Sequence, residues 1–397
     1  MAFAADRLPW TGREETPSPH SEASPARARQ AGSRLTDESM MSVLARIATE
    51  TGAQPMRMMR EFAALSFGPG KIAFGDYVRL RLFDDAFWAG ADKRGVAGRR
   101  RAAEIMAQAN HADGHGLAAN RLAAKAYLSA FGFAMPQAVA IFAQDLAAPG
   151  GALLRTREQL REFLGDPAVY PLIGRPVQQC AGAGEIELLD VNVETARLTT
   201  SRAGASADLD GFIEHVSENY AGGYLFERRP EPDAAWAKAL GGQLPTVRLI
   251  TVMTDQGARP FRLCATAQTP DGGELLLRLD PRNGAVTGAS RGAGLEFQDL
   301  DRHPWTGAAL GGLRVPDWPV MRAMALEASR LLSPLSLIGW ELVPTTAGPM
   351  ILAVDEAPDL ARHQLADRRG VLTADFQAFV AARREALAEA EQLRLDA

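Results

Sequence analysis

One stretch, residues 338–360 (IGWELVPTTAGPMILAVDEAPDL), limits what this chain can become more than any other. It reads as an apolar strand ending in Trp340-Glu341, a turn over 345–349, and a second strand over 350–354 ending in Asp355-Glu356. Antiparallel strands joined this way can set Glu341 and Asp355 near each other, and hard oxygen ligands so grouped suit Mg²⁺ with substrate phosphates. A core hairpin with charged ends fits the same spacing. Both readings stand at this point.

A hairpin needs a core to sit on, and a chain of 397 residues, 47% apolar and 23% charged, can bury a large one in one or two domains. The net charge of -5 argues against a general nucleic-acid binder, whose affinity rests on a clustered basic face. Cys180 and Cys264 are too few for a disulfide framework, so a reduced, cytoplasmic protein is expected. The opening MAFAADRLPW lacks the apolar core of a signal peptide. The longest apolar run, 126–143, is broken by Gly132, Pro136 and Gln137, so no membrane span is expected.

Residues 1–35, rich in Pro, Ser, Ala and Arg without periodicity, read as a disordered tail. Met40, Val43, Leu44 and Ile47 then fall at helical spacing with Gly52 as a stop, and a second helix is expected over 55–65. Gly70-Lys71 invites a phosphate-loop reading. Leu65 and Ile72 occupy the positions where that motif needs glycine and Ser or Thr, so it is rejected. Asp76 reads as the cap of a helix carrying Tyr77, Leu80 and Leu82. The basic run KRGVAGRRR reads as a solvated helix face or an anion patch. His111 and His115 have the spacing of zinc ligands, but Gly114 between them weakens the helix that zinc would need. The helical N-terminal region is placed at 36–115.

From there the pattern mixes strands and helices. A helix over 122–131 carries Lys125 near its start, and a buried strand over 138–142 follows. A helix over 156–164 leads to a strand over 168–173, then Gly174-Arg175-Pro176 and a turn with Gly182 and Gly184. Glycines let backbone N–H groups approach phosphate, with Arg175 supplying charge, although most turns of this kind are only turns. Asp208 or Asp210 can cap a helix over 211–220. The strand 224–226 emerges into Glu227, with Glu231 and Asp233 beyond. Arg248 stands in an apolar strand over 244–254, where a buried arginine has either a structural acid or a ligand as its partner. A second strand candidate (PFRLCATAQ), a hairpin turning at Asn283-Gly284, the loop HPWTG, a helix over 316–333 and a terminal helix at 373–397 complete the chain.

The order of these pieces resembles the ATP-grasp superfamily, and within it the sugar-transfer-associated ATP-grasp proteins, related by sequence to α-L-glutamate ligases. The matching segments are SFGPGKIAFGDY, NRLAAKAYLSAFGFAMPQAVAIF, YPLIGRP, YLFERRPEP, LPTVRLIT, HPWTG, GWELVPTTAGPMIL and PDLARHQLADRRGVL. The resemblance implies an α+β fold: an ATP-grasp domain at 116–372, with subdomains 116–223 and 224–372 clasping ATP, behind the helical region. It assigns Lys125 and Arg175 to the nucleotide phosphates, Gly182 and Gly184 to a loop over them, Glu227 to the adenine and Glu231 to the ribose. Arg248 is assigned to the transferred phosphate, and Glu341 and Asp355 to Mg²⁺.

It also implies ATP-dependent phosphorylation of a carboxylate, followed by attack of an amine or another nucleophile on the acyl phosphate, and a link to surface polysaccharide through the family's name. This chain departs from the family's pattern in three places. Arg175 stands where a lysine is usual, and the metal motif reads Ala353-Val354-Asp355 in place of Glu-x-Asn. The strand at Ala265-Thr266-Ala267 lacks the family's arginine, and the loop after it is short. Two functions therefore stand: an ATP- and Mg²⁺-dependent ligase acting on a small-molecule carboxylate, or a catalytically degenerate nucleotide-binding regulator or scaffold. A protein partner or a second copy of the chain accompanies either.

Overall fold

The computed structural model describes residues 11–13, 39–144, 152–178, 184–201, 205–220 and 222–395. Apolar spacing builds the first helix, α1 (Met40–Thr51): Val43, Leu44 and Ile47 bury one face, the Ser39 hydroxyl caps the start, and Gly52 ends it at φ 71°. Then come α2 (Pro55–Ser66), α3 (Phe74–Arg79), α4 (Asp85–Trp88), α5 (Arg99–Ala109), α6 (Ala112–Ala119) and α7 (Arg121–Ala130). The helical run therefore continues past the expected limit at 115. Asp76 is not the cap of α3. It sits in the first turn, where its carboxylate accepts from Ala73 N at 3.3 Å and from Arg99 N at 3.0 Å, tying the starts of α3 and α5 together.

The first sheet has eight strands: β1 (Thr11–Arg13), β2 (Ala138–Phe142), β3 (Ala152–Leu154), β4 (Leu172–Pro176), β5 (Ile186–Asn192), β6 (Arg197–Thr200), β7 (Ala205–Asp208) and β8 (Tyr224–Arg228). Their order is β1-β7-β6-β5-β4-β8-β2-β3, antiparallel except for β2 with β3. Helices α8 (Arg157–Leu164) and α9 (Leu209–Asn219) cover one face over a core holding Leu160, Phe212, Tyr224 and Phe226. Each fully buried side chain of this size contributes roughly 1.5–3 kcal/mol.

Three expectations change here. The strand expected over 168–173 is a 3-10 turn (Pro167–Val169) followed by β4, because Pro167 and Pro171 remove the donors a ladder needs. Because β8 pairs with both β4 and β2, a subdomain boundary at 223/224 cuts the first sheet and belongs after Arg228. Of the expected tail, Thr11–Arg13 form an edge strand against β7, and the rest lies outside the described residues.

The second sheet follows α10 (Ala234–Leu240) and has seven strands: β9 (Pro245–Thr254), β10 (Gly257–Gln268), β11 (Glu274–Leu279), β12 (Val286–Arg291), β13 (Gln298–Leu300), β14 (Leu337–Thr345) and β15 (Gly348–Asp355). Their order is β13-β12-β11-β10-β9-β14-β15, antiparallel throughout. One face packs on α11 (Trp318–Leu331) through Val247, Leu249, Trp340 and Leu342. The other carries Cys264 and Leu276 against the N-terminal helices and α12 (Leu360–Asp367). The chain closes with α13 (Ala374–Leu395), which packs on α5.

Among the described residues no helix is long and apolar enough to cross a membrane.

Candidate functional site

Charged groups gather where the two sheets meet, in two clusters. The first is built on β8, whose alternation sends Tyr224 and Phe226 to the covered face and Leu225 and Glu227 to the opposite one. Glu227 does not stand at a strand end. It is buried mid-sheet, one oxygen accepting from Lys125 Nζ of α7 at 2.7 Å and the other paired with the Arg175 guanidinium of β4. Burial opposes ionisation of Glu227, but the two cations outweigh it and hold the carboxyl below its ordinary range. The residues expected at phosphates and at adenine thus form one ion triad here. Lys125 also donates to the Pro136 carbonyl.

Arg175 does more than pair. Its Nη1 donates to the carbonyl of Leu352 on β15 at 3.2 Å, joining the first sheet to the second. Gly184 lies nearby at φ 78°, its carbonyl accepting from Tyr224 OH at 2.6 Å, and an added Cβ would come within 2.0 Å of Tyr220 OH. Only glycine fits that turn. Gly182 lies outside the described residues. Glu231 is exposed at the tip of the β14–β15 hairpin, its carbonyl accepting from Thr346 N at 3.1 Å and its carboxylate from Thr346 Oγ1 at 3.3 Å. It stays outside both clusters.

The second cluster is the hairpin's own. The strands are longer than expected and the turn shorter: Thr345 pairs with Gly348, leaving Thr346 and Ala347 between. Glu341 is therefore mid-strand, opposite Arg248 of β9 on one side and Ala353 of β15 on the other, while Asp355 pairs with Gly339. A period of two puts Gly339, Glu341, Ala353 and Asp355 on one face. Glu341 and Asp355 are brought to the same cleft as diagonal neighbours. Gly339 makes room for this: a Cβ there would come 2.8 Å from Pro358 Cβ and 3.2 Å from Asp355 Cβ.

The electrostatics of the two acids differ. Burial opposes ionisation of Glu341, yet Arg248, which pairs with it directly, and Arg121 and Arg175 farther off draw it down to about 2. Among the described residues Asp355 has no ion-pair partner, and its carboxylate accepts from Ala357 N at 2.9 Å. Burial, reinforced by the charges of Glu341 and Glu356, pushes it up to about 6. Arg248 is steadied through Nε by Thr266 Oγ1 at 3.1 Å. Thr266 lies on the strand where the family resemblance called for an arginine.

The cleft between these residues has a cavity volume of ≈ 10 Å³, room for about one water-sized particle. Its lining includes four residues that the sequence reading passed over or left unassigned: Pro358, Asp359, Arg362 and His363 of α12 and the loop before it. The signal available for them was an Asp N-cap at 359 followed by two charged or ring side chains in the first turns. Arg121, paired with Glu185, was also missed.

Two carboxylates are fewer than a protein-only metal cage. Among the described residues no three His, Cys, Asp or Glu are grouped to hold a metal. Mg²⁺ asks for less, keeping waters and taking one or two carboxylates alongside phosphates, and Glu341 and Asp355, which line the same cleft, supply that number. His111 instead caps α6, its Nδ1 accepting from Asp113 N at 3.1 Å.

Residues 100–378, well over half of the chain, match the family described as sugar-transfer associated ATP-grasp. The chain belongs to that family. Its fold is accordingly the α+β ATP-grasp fold with an N-terminal helical region. No curated protein matches this ATP-grasp sequence. Solved structures similar to it include an N5-carboxyaminoimidazole ribonucleotide synthetase in its ADP complex (TM-score 0.34, 11% identity, covering 62% of this chain and 46% of that one). D-alanine–D-alanine ligase from Bacillus anthracis has a TM-score of 0.41 and 10% identity, covering 75% of this chain and 79% of that one. L-amino acid ligase from Bacillus licheniformis has a TM-score of 0.35 and 11% identity, covering 67% and 48%. The ATP-grasp protein described here spans about half the length of the first and third.

Proposed function

We propose that this protein is an ATP- and Mg²⁺-dependent ligase that activates a small-molecule carboxylate. A carboxylate oxygen takes the γ-phosphoryl group of ATP as ADP leaves; a nucleophile, an amine in the simplest case, then attacks the acyl phosphate and phosphate leaves. The observation that carries this reading is the meeting of Arg248, Glu341 and Asp355 on one sheet face, with Arg121 of α7 and Arg175 of the first sheet close enough to act on Glu341.

Phosphoryl transfer asks a protein chiefly for positioning and neutralisation of charge. Glu341 and Asp355 would hold Mg²⁺, which supplies charge neutralisation between nucleotide and substrate when bound. Arg248 would face the transferred phosphate, and Lys125 and Arg175, once released from Glu227, the other phosphates. Glu227 and Glu231 remain proposed for adenine and ribose, and the loop with Gly182 and Gly184 for cover. Membership of a sugar-transfer associated family supports a place in building or decorating a surface polysaccharide. Ala353 opposite Glu341, and the tight turn joining Gln268 to Glu274, favour a second reading: a nucleotide-binding regulator without turnover.

The deciding experiment is a thermal melt with ATP, with Mg²⁺ and with EDTA, since a ligand that binds only the folded state stabilises it by about 2.7 kcal/mol at a hundred times its Kd. The ligase reading expects a rise with ATP that needs Mg²⁺ and is lost in Glu341→Ala. A rise indifferent to Mg²⁺ supports the regulator, and none at millimolar ATP overturns both.

A further inference from the structure

Away from the cleft, the second sheet carries a group of charges that the proposed chemistry does not use. Arg278 of β11 stands directly opposite Cys264 of β10 and Gly288 of β12, so its side chain shares the face that carries Cys264 and Leu276. It lies over Gly288, where an added Cβ would come 2.7 Å from Nη2. Among the described residues the half-buried Arg278 side chain has neither an ion pair nor a hydrogen bond, and its Nε is shut off from water. Arg262 is its diagonal neighbour on β10, a relation that sets two residues about 7–8 Å apart, within reach of long side chains. Arg262 donates through Nη2 to the Gly370 carbonyl at 2.8 Å, and its Nη1 stands 3.7 Å from Asp367 at the end of α12. Arg369 follows with its side chain exposed. Burial pushes the Asp367 carboxyl up, and Arg262, Arg278 and Arg369 all draw it down, so one acid lies within reach of all three.

The neighbouring acids are committed elsewhere: Asp280 accepts from Arg282 Nε at 3.1 Å, and Asp299 pairs with Arg368. Three guanidiniums against the single carboxylate of Asp367 leave two positive charges in excess. A partly buried charge without a counter-charge is costly, and a ligand can supply what the chain does not. The backbone that presents these groups is pinned. Leu372 N donates to the Gly95 carbonyl at 2.8 Å, and a Cβ at Gly370 would come 2.1 Å from that carbonyl, so the turn after α12 is fixed against the N-terminal helical region. A phosphate group carries close to two negative charges at neutral pH and three terminal oxygens, which guanidinium forks bind two at a time. A carboxylate, with one charge and two oxygens, would leave a charge and a fork over.

We propose that Arg262, Arg278 and Arg369 form a phosphate-binding site on the second sheet, separate from the cleft around Glu341, whose lining includes none of the three. Inorganic phosphate and the phosphomonoester of a small molecule present the same oxygens to it. The site does not depend on the ligase reading.

The test is isothermal titration calorimetry of the full chain in a phosphate-free buffer with inorganic phosphate, with glycerol 3-phosphate and, at matched ionic strength, with acetate. Inorganic phosphate is expected to bind at least about tenfold more tightly than acetate, and Arg278→Gln to weaken it by at least about tenfold, since hydrogen bonds between charged groups are the strong ones. Arg278→Lys, which keeps the charge and loses the fork, should retain part of the affinity, and Arg100→Gln, which removes an exposed charge from α5, all of it. Because Arg278 has no described partner to lose, Arg278→Gln should leave the Tm in phosphate-free buffer no lower than the parent's and abolish the rise that phosphate gives. A structural arginine would behave in the opposite way. No heat at millimolar phosphate, equal binding of acetate, an affinity unchanged by Arg278→Gln, or a Tm lowered by it without phosphate overturns the site. Glycerol 3-phosphate bound no more weakly than the free ion assigns the site to a phosphomonoester, and weaker binding assigns it to free phosphate; either sustains it.

Discussion

In the first sheet Glu227 lies between Lys125 and Arg175 with both oxygens engaged, whereas in the second Glu341 has one cation and Asp355 has none. All three acids are carboxyls set in a sheet of the same fold, so environment alone separates them. Two cations around Glu227 engage both of its oxygens and leave that triad one positive charge in excess. On the hairpin Asp355 has no ion-pair partner among the described residues, and burial pushes its carboxyl up to about 6. An acid with both oxygens engaged acts as a keystone, and an acid without an ion-pair partner leaves room for a ligand's charge.

The difference can be broken most forcefully at Glu227. Glu227→Gln leaves two buried cations without a counter-charge and is expected to cost about 3–5 kcal/mol in urea unfolding. A loss below about 1 kcal/mol would mean that water or another acid compensates, and the contrast between the regions would collapse. Arg248→Met leaves Glu341 without its partner, but that pair is partly exposed, at 22% and 17%, so a smaller loss of about 1–3 kcal/mol is expected. Millimolar Mg²⁺ should recover part of it; no recovery would take Glu341 out of the metal site.

Asp355→Asn sharpens the comparison from the other side. Removing an acid that burial already disfavours should raise the Tm at neutral pH by about 2–4 °C, while abolishing any further rise with ATP and Mg²⁺. A lower Tm would show that the carboxylate is held by something stronger than the Ala357 N–H.

The smallest effect concerns His363. Its imidazole is lowered to about 3, so the unfolded chain takes up a proton first as pH falls, and stability that is present above about 6.5 drains away from there down to about 3. His363→Gln should flatten that part of the stability–pH curve measured by urea unfolding. An unchanged slope would place the ring in contact with water.

Local signals carried much of the fold. Val43, Leu44 and Ile47 with Gly52 placed α1, the apolar run at 138–142 placed β2, and Asn283-Gly284 placed the β11–β12 hairpin. These are short-range matters of periodicity and turn chemistry, and the sequence is sufficient for them. Partnerships across long separations were not legible. That Lys125 and Arg175 both pair with Glu227 follows from α7, β4 and β8 meeting, and 102 residues separate the lysine from the acid. Asp76 bonds Arg99 N for the same reason, through a contact 23 residues away. The hairpin acids were found because their spacing and their contact lie on the same two strands. Arg362 and His363 were missed because α12 reaches the cleft only after the chain turns at Pro358.

The bond from Arg175 to the Leu352 carbonyl has a consequence for how such a chain tolerates change. The two jaws meet through a side chain on one side and the backbone on the other. Backbone carbonyls are blind to the identity of their own residue, so this bond survives a change of residue type at 352 as long as β15 keeps its register. A one-residue insertion or deletion in the hairpin would turn that carbonyl away and leave Arg175 Nη1 without its acceptor. Among descendants of this sequence, drift in side chains at the joint would be silent, and changes of length would not.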